Sequence, residues 1–137
     1  MSSWKRSLRR VRQTAELALP TPRSRIELQI PPEIVLLKDG ETFLKFDSGA
    51  GDDRILIFST ERNLRLLTQS RHWFCDGTFK TCPPLFEQIY TVHGIVDNQV
   101  LPALFALLPS KSENTYSRLF SQIKTMLSTA NPEFIMT

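Results

Sequence analysis

Residues 73–80 read Trp73-Phe74-Cys75-Asp76-Gly77-Thr78-Phe79-Lys80. An aromatic, β-prone run meets a single carboxylate and then a glycine, and the placing of that carboxylate decides how the chain is read. On a strand, Asp76 stands among Trp73, Phe74 and Phe79. An ionised group there is costly unless it is solvated, paired or holding a cation. The simpler reading ends the strand at Asp76 and caps a turn with Gly77, because Asp-Gly is a strong turn signal.

Upstream, Thr60 to Ser70 predicts a short helix. Ser59 or Thr60 serves as its cap, Glu61 suits its positive end, and Leu64, Leu66 and Leu67 form its apolar stripe. Before it, Arg54-Ile55-Leu56-Ile57-Phe58 is dense enough in apolar residues for a buried strand. Thr42 to Phe46 pairs with it across the polar glycine loop Asp47 to Asp53, giving a hairpin. Lys38-Asp39-Gly40 turns the chain after Ile34-Val35-Leu36-Leu37. Further back, Pro20 and Pro22 end a helix over Ser3 to Leu19. Thr21 to Pro32 reads as a linker, with Ile26 to Ile30 as a short alternating strand.

Downstream, Pro83-Pro84 breaks the Trp73 strand. Phe86 to Val96 predicts a second strand, Asp97-Asn98 a turn, and Val100 to Leu108 a third, with Pro102 near its start as an edge position allows. Ser112 caps a helix from Glu113 to about Thr129. Its apolar residues Tyr116, Leu119, Phe120, Ile123 and Leu127 fall at i, i+3, i+4, i+7 and i+11, the clearest helical face in the chain. Asn131-Pro132 stops it, and Glu133 to Thr137 starts a further strand. A helical crossover returns that strand parallel to the Trp73 strand. The expected fold is therefore mixed α and β, with the order of the front half of a ribonuclease-H-like sheet: an antiparallel meander, a helix and the start of a parallel fourth strand. The expected organisation is an arm and linker over 1–32, a hairpin and helix over 33–70, and the sheet domain over 71–137.

The net charge of +3 is unevenly distributed. The first 25 residues hold Lys5, Arg6, Arg9, Arg10, Arg12, Arg23 and Arg25 against Glu16 alone, and the remainder is net acidic. Such an arm is suited to neutralising phosphates, or to acting as a nuclear address. No apolar run approaches the ~20 residues that span a bilayer, and no signal core follows Met1. Membrane partners are not expected. Cys75 and Cys82, with His72 and His93, make four ligands on paper, but the Cys-x6-Cys spacing is foreign to structural zinc sites, and packed free thiols are the preferred reading.

The blocks Arg54 to Phe58, Trp73 to Lys80, Pro84-Leu85-Phe86-Glu87-Gln88-Ile89-Tyr90-Thr91-Val92-His93-Gly94, Pro102 to Pro109 and Thr115 to Phe120 together resemble the MULE-type domain of Mutator-like DNA transposases, including domesticated copies. The resemblance runs from Arg54 to Thr137. It implies a ribonuclease-H-like fold and DNA cut-and-paste chemistry at magnesium or manganese ions, with Asp76 as the first acid of an Asp-Asp-Glu triad. Two metal ions about 3.5–4 Å apart hold the attacking and leaving oxygens in such chemistry, and hard cations take carboxylate oxygens and waters. The family's second acid follows the fourth strand, just past Thr137, and its third lies on a later helix. Glu87 and Asp97 match neither. The expectation is a transposase-derived domain that is catalytically silent over these 137 residues, with no metal held stably by Asp76 alone. The alternative is a domesticated, non-enzymatic module that binds DNA through the basic arm, or binds a partner or a second copy through an exposed sheet edge. The nucleus is the expected compartment.

Overall fold

The computed structural model describes residues 6, 9, 40–49, 51–79, 85–127, 132 and 134–136. Within them lie β1 (Leu44–Asp47), β2 (Leu56–Ser59), α1 (Glu61–Gln69), β3 (His72–Thr78), β4 (Gln88–Val96), β5 (Gln99–Leu108), α2 (Glu113–Met126) and β6 (Phe134–Met136). The expected helix over Ser3 to Leu19 and strand over Ile26 to Ile30 lie outside the described residues, apart from Arg6 and Arg9, which are helical and exposed.

Local chemistry sets the helix starts. Thr60 keeps an extended backbone and its side chain accepts from the Asn63 N–H at 3.1 Å, while Ser112 accepts from the Thr115 N–H at 3.3 Å. Each satisfies an N–H that has no partner within its own helix. Asp97 and Asn98 both adopt positive φ, 51° and 64°, which matches the twist of the tight β4–β5 hairpin.

The strands assemble in the order β1-β2-β5-β4-β3-β6. All neighbours are antiparallel except β3 and β6, which run parallel with His72 beside Phe134 and Phe74 beside Met136. The β1–β2 hairpin does not stand apart from the domain, because β2 pairs with β5 from Leu56–Leu107 to Ser59–Leu104 and extends the same sheet. β5 is accordingly an interior strand, which differs from the edge position that Pro102 suggested. The proline is accommodated because β2 reaches only to Leu104, and because the β4 partner shifts register between Val92 and His93. At Pro102 the β2 side of β5 needs no donor.

The alternation of strand side chains divides the core in two. On one face, α1 (Leu64, Leu67) and α2 (Leu119, Ile123, followed by Leu127) pack on Ile57, Trp73, Cys75, Tyr90, Val92, Leu104 and Ala106. On the other, Phe43 and Phe86 pack with Leu56, Phe58, Ile89, Phe105 and Leu107. Trp73 joins β3 to α1 directly: its indole N–H donates to the Leu67 carbonyl at 3.0 Å.

Candidate functional site

Asp76 and Gly77 do not form a turn. Both lie within β3, paired with Thr91 and Tyr90 of β4. Trp73 and Cys75 point to the helices, so alternation directs Asp76, with Phe74, to the opposite face. Asp76 is exposed. Water therefore offsets the desolvation cost that an aspartate in this run carries, and the carboxylate is open to a ligand.

Gly77 is required by its neighbour. A Cβ at this position would overlap Gln88 Oε1. Gln88 is fully buried, and its amide nitrogen donates to the Tyr116 hydroxyl at 2.7 Å and the Ser110 carbonyl at 3.3 Å. Those two bonds hold the side chain, so it cannot swing away to admit a larger residue at 77. Gln88 thereby couples the start of α2 to β4 beside the Asp76 strand. A glutamine at the head of a mostly apolar strand was the available signal for this contact, and sequence reasoning did not use it.

Behind Asp76 lies a cleft of about 380 Å³ lined by Cys75, Asp76, Gly77, Tyr90, Tyr116 and Phe120. Asp76 joins the lining where β3 runs on past its pairing with β6, which covers only His72 to Phe74. Tyr90 is packed by Tyr116 at 5.3 Å and edge-on by Phe120 at 6.2 Å between ring centroids. Burial first, then the adjoining Cys75, Tyr116 and Asp76, pushes the Tyr90 phenol up from its ordinary value. It thus stays protonated at neutral pH, hydrogen-bonded to Cys75. Burial pushes the Cys75 thiol up to about 11, against the opposing Tyr90 hydrogen bond. Cys75 is therefore a neutral, packed thiol and not a nucleophile.

The four zinc ligands conceivable from sequence are not assembled. Cys75 belongs to the helix-covered core, whereas His93 is paired with Phe74 on the opposite face, its Nδ1–H donating to the Phe74 carbonyl at 2.9 Å. Cys82 lies outside the described residues. Among the described residues no three His, Cys, Asp or Glu side chains form a group able to hold a metal ion. Glu87 precedes β4 and Asp97 occupies the β4–β5 turn. Of the basic arm, Arg6 and Arg9 are described, and Lys5, Arg10, Arg12, Arg23 and Arg25 lie outside the described residues. No helix among the described residues is long and apolar enough to cross a membrane. Comparison with known protein families, with curated proteins and with solved structures gives no match for this chain.

Proposed function

We propose that the chain is a transposase-derived domain of MULE type with a ribonuclease-H-like sheet, acting on DNA in the nucleus, and that Asp76 is the first acid of its metal site. The observation that carries this reading is the strand order β5-β4-β3-β6, with β6 parallel to β3 after a helical crossover and an exposed aspartate on β3. The parallel register adds support. Phe74 lies beside Met136, and a strand advances both partners together, so the second residue after Met136 in any continuation of β6 falls beside Asp76. A carboxylate at such a position would hold a divalent cation together with Asp76. Magnesium or manganese fits an open carboxylate of this kind, with waters completing the shell. Bound, the ion pair would activate a water or a 3′-hydroxyl and stabilise the charge at phosphorus. Asp76 alone can hold one edge of such a site and cannot orient both ions, so over these 137 residues the domain is catalytically silent.

Two measurements on the 137-residue protein test this. Strand cleavage of duplex DNA with magnesium or manganese is expected to be absent, and cleavage that disappears in Asp76→Ala would refute the silent reading. Manganese added to an isotope-labelled sample is expected to broaden the amide signals around Asp76 and Thr91 first, with affinity on the order of 1 mM, the weak end for carboxylate sites. Asp76→Asn is expected to remove that broadening. Broadening centred elsewhere would sink the assignment of Asp76.

A second reading is a non-enzymatic interaction module. It is favoured by the β3 edge beyond Phe74, unpaired among the described residues, and by the exposed Phe74, Phe79 and Ile135. Open edges and apolar surface promote association. Light scattering is expected to show concentration-dependent dimers or larger species, and a monomer at all concentrations would count against it.

A further inference from the structure

The cleft beside Asp76 is built from three elements: Cys75, Asp76 and Gly77 of β3, Tyr90 of β4, and Tyr116 and Phe120 of α2. Tyr116 and Phe120 stand at i and i+4, so they share one side of their helix. Both are half-buried, whereas Tyr90 beneath them is 5% exposed. Their ring planes are inclined at 50° and 89° to that of Tyr90, which makes a corner and not a flat stacking slot. The faces of aromatic rings are negative. Asp76 adds a full negative charge at the lining, close enough to act on the Tyr90 phenol, and takes part in no ion pair among the described residues. Behind Gly77, Gln88 Oε1 is buried with no hydrogen-bond partner among the described residues. Ring faces, a carboxylate and an uncompensated carbonyl oxygen thus converge on one cavity, and their shared complement is a cation.

We propose that this cleft binds a quaternary or methylated ammonium group, with Tyr90 as floor, Tyr116 and Phe120 as walls and Asp76 as counter-charge. The proposal rests on the cleft alone and not on the reading of the domain as transposase-derived. Cation–π attraction acts within about 6 Å of a ring centroid, the scale of the 5.3 and 6.2 Å separations here. A primary ammonium fits less well. It brings three N–H donors, while the Tyr116 hydroxyl is engaged by Gln88 and the Tyr90 hydroxyl by Cys75. Methyl groups carry the same charge on an apolar surface that needs few hydrogen bonds. A hard divalent ion takes oxygen ligands and makes no use of the rings.

The test is a chemical-shift titration of the full isotope-labelled chain with choline and with its neutral isostere, in which carbon replaces the quaternary nitrogen. Choline is expected to bind with affinity on the order of 1 mM, ordinary for so small a ligand, and to move the ring signals of Tyr90, Tyr116 and Phe120 and the amides of Asp76 and Gly77. The isostere is expected to bind about 10-fold more weakly or worse. Phe120→Leu keeps apolar bulk and is expected to weaken choline by about 2- to 30-fold, the span of cation–π strength from exposed to desolvated sites. Asp76→Asn, at an exposed position, is expected to weaken choline and leave the isostere unchanged. Circular dichroism checks that both variants fold. Equal binding of choline and isostere overturns the proposal, as do choline binding that neither variant alters and shifts centred away from the cleft. A short peptide carrying trimethyllysine separates the sources of the group. Tighter binding than choline identifies a modified side chain, and weaker binding a free quaternary amine. An unmodified lysine peptide that binds as well as the trimethylated one overturns the methyl selectivity. Phe120→Leu is expected to keep the manganese broadening around Asp76, so the ammonium site and the metal reading succeed or fail separately.

Discussion

Trp73→Ala is expected to destabilise the protein by about 3–5 kcal/mol, the cost of emptying an aromatic site in a packed core. The indole is 4% exposed and lies in the core under both helices. The same change removes the N–H that the Leu67 carbonyl accepts near the end of α1. Domains of this size have only about 5–15 kcal/mol of net stability, so the alanine variant sits near the limit of folding. Trp73→Phe keeps most of the apolar contact and drops the hydrogen bond, and is expected to cost about 1–2 kcal/mol. Urea unfolding followed by circular dichroism measures both. Hydrogen exchange at the Asp76 and Gly77 amides is expected to quicken in parallel, because Trp73 is what ties their strand to α1. A loss below about 1 kcal/mol for alanine would show that β3 is anchored elsewhere.

Asp47→Asn is expected to cost about 2–3 kcal/mol at neutral pH, somewhat under the usual penalty for breaking a buried pair because the carboxylate is partly exposed. Arg54 donates through Nε to Oδ1 at 2.9 Å and through Nη2 to Oδ2 at 2.6 Å, and the Gly49 N–H adds a bond of 2.9 Å to Oδ1. The side chains are 7% and 27% exposed for Arg54 and Asp47. The fork closes the loop between β1 and β2, where Ser48 also bonds Ile55 in both directions. Burial by itself would raise the Asp47 carboxyl, but the Arg54 and Gly49 hydrogen bonds and the Arg54 charge outweigh it and hold the group below its ordinary value of 3.8. The sign of the pH effect follows. A carboxyl depressed in the folded state contributes its full stability above its unfolded value, and loses it as pH falls through the folded value. Wild type and Asp47→Asn are therefore expected to differ in urea midpoint above about pH 4 and to converge in stronger acid. A gap that stays constant down to pH 2 would show that the carboxylate charge is not what matters.

Much of this fold was legible in the residues. The α2 stripe from Tyr116 to Leu127 and the Ser112 and Thr60 caps are local features, governed by spacing within one turn. Asp97-Asn98 marked its turn because those residues tolerate the left-handed backbone. The parallel return of β6 followed from the order of elements and the need for a crossover. Asp76-Gly77 left a strand and a turn both open because its local turn signal is strong; cross-strand pairing with Thr91 and Tyr90 and the burial of Trp73 and Cys75 decide for the strand. Pro102 did mislead. It indicated only that no donor is needed on one side at that residue, and the length of β2, which stops at Leu104, supplies that condition inside the sheet.

The sequence by itself determined where elements start and stop, which residues of each are apolar, and that one carboxylate falls in an aromatic run, because these depend on neighbours a few positions apart. Tertiary structure alone decided that the β1–β2 hairpin joins the sheet through β5, that Asp76 is solvated on the face away from the helices, and that Gly77 yields its space to Gln88. It also decided that Tyr90, Tyr116 and Phe120 come together around one cleft with Asp76. Such outcomes depend on side chains brought together from distant parts of the chain, and the pattern within any one segment does not carry that information.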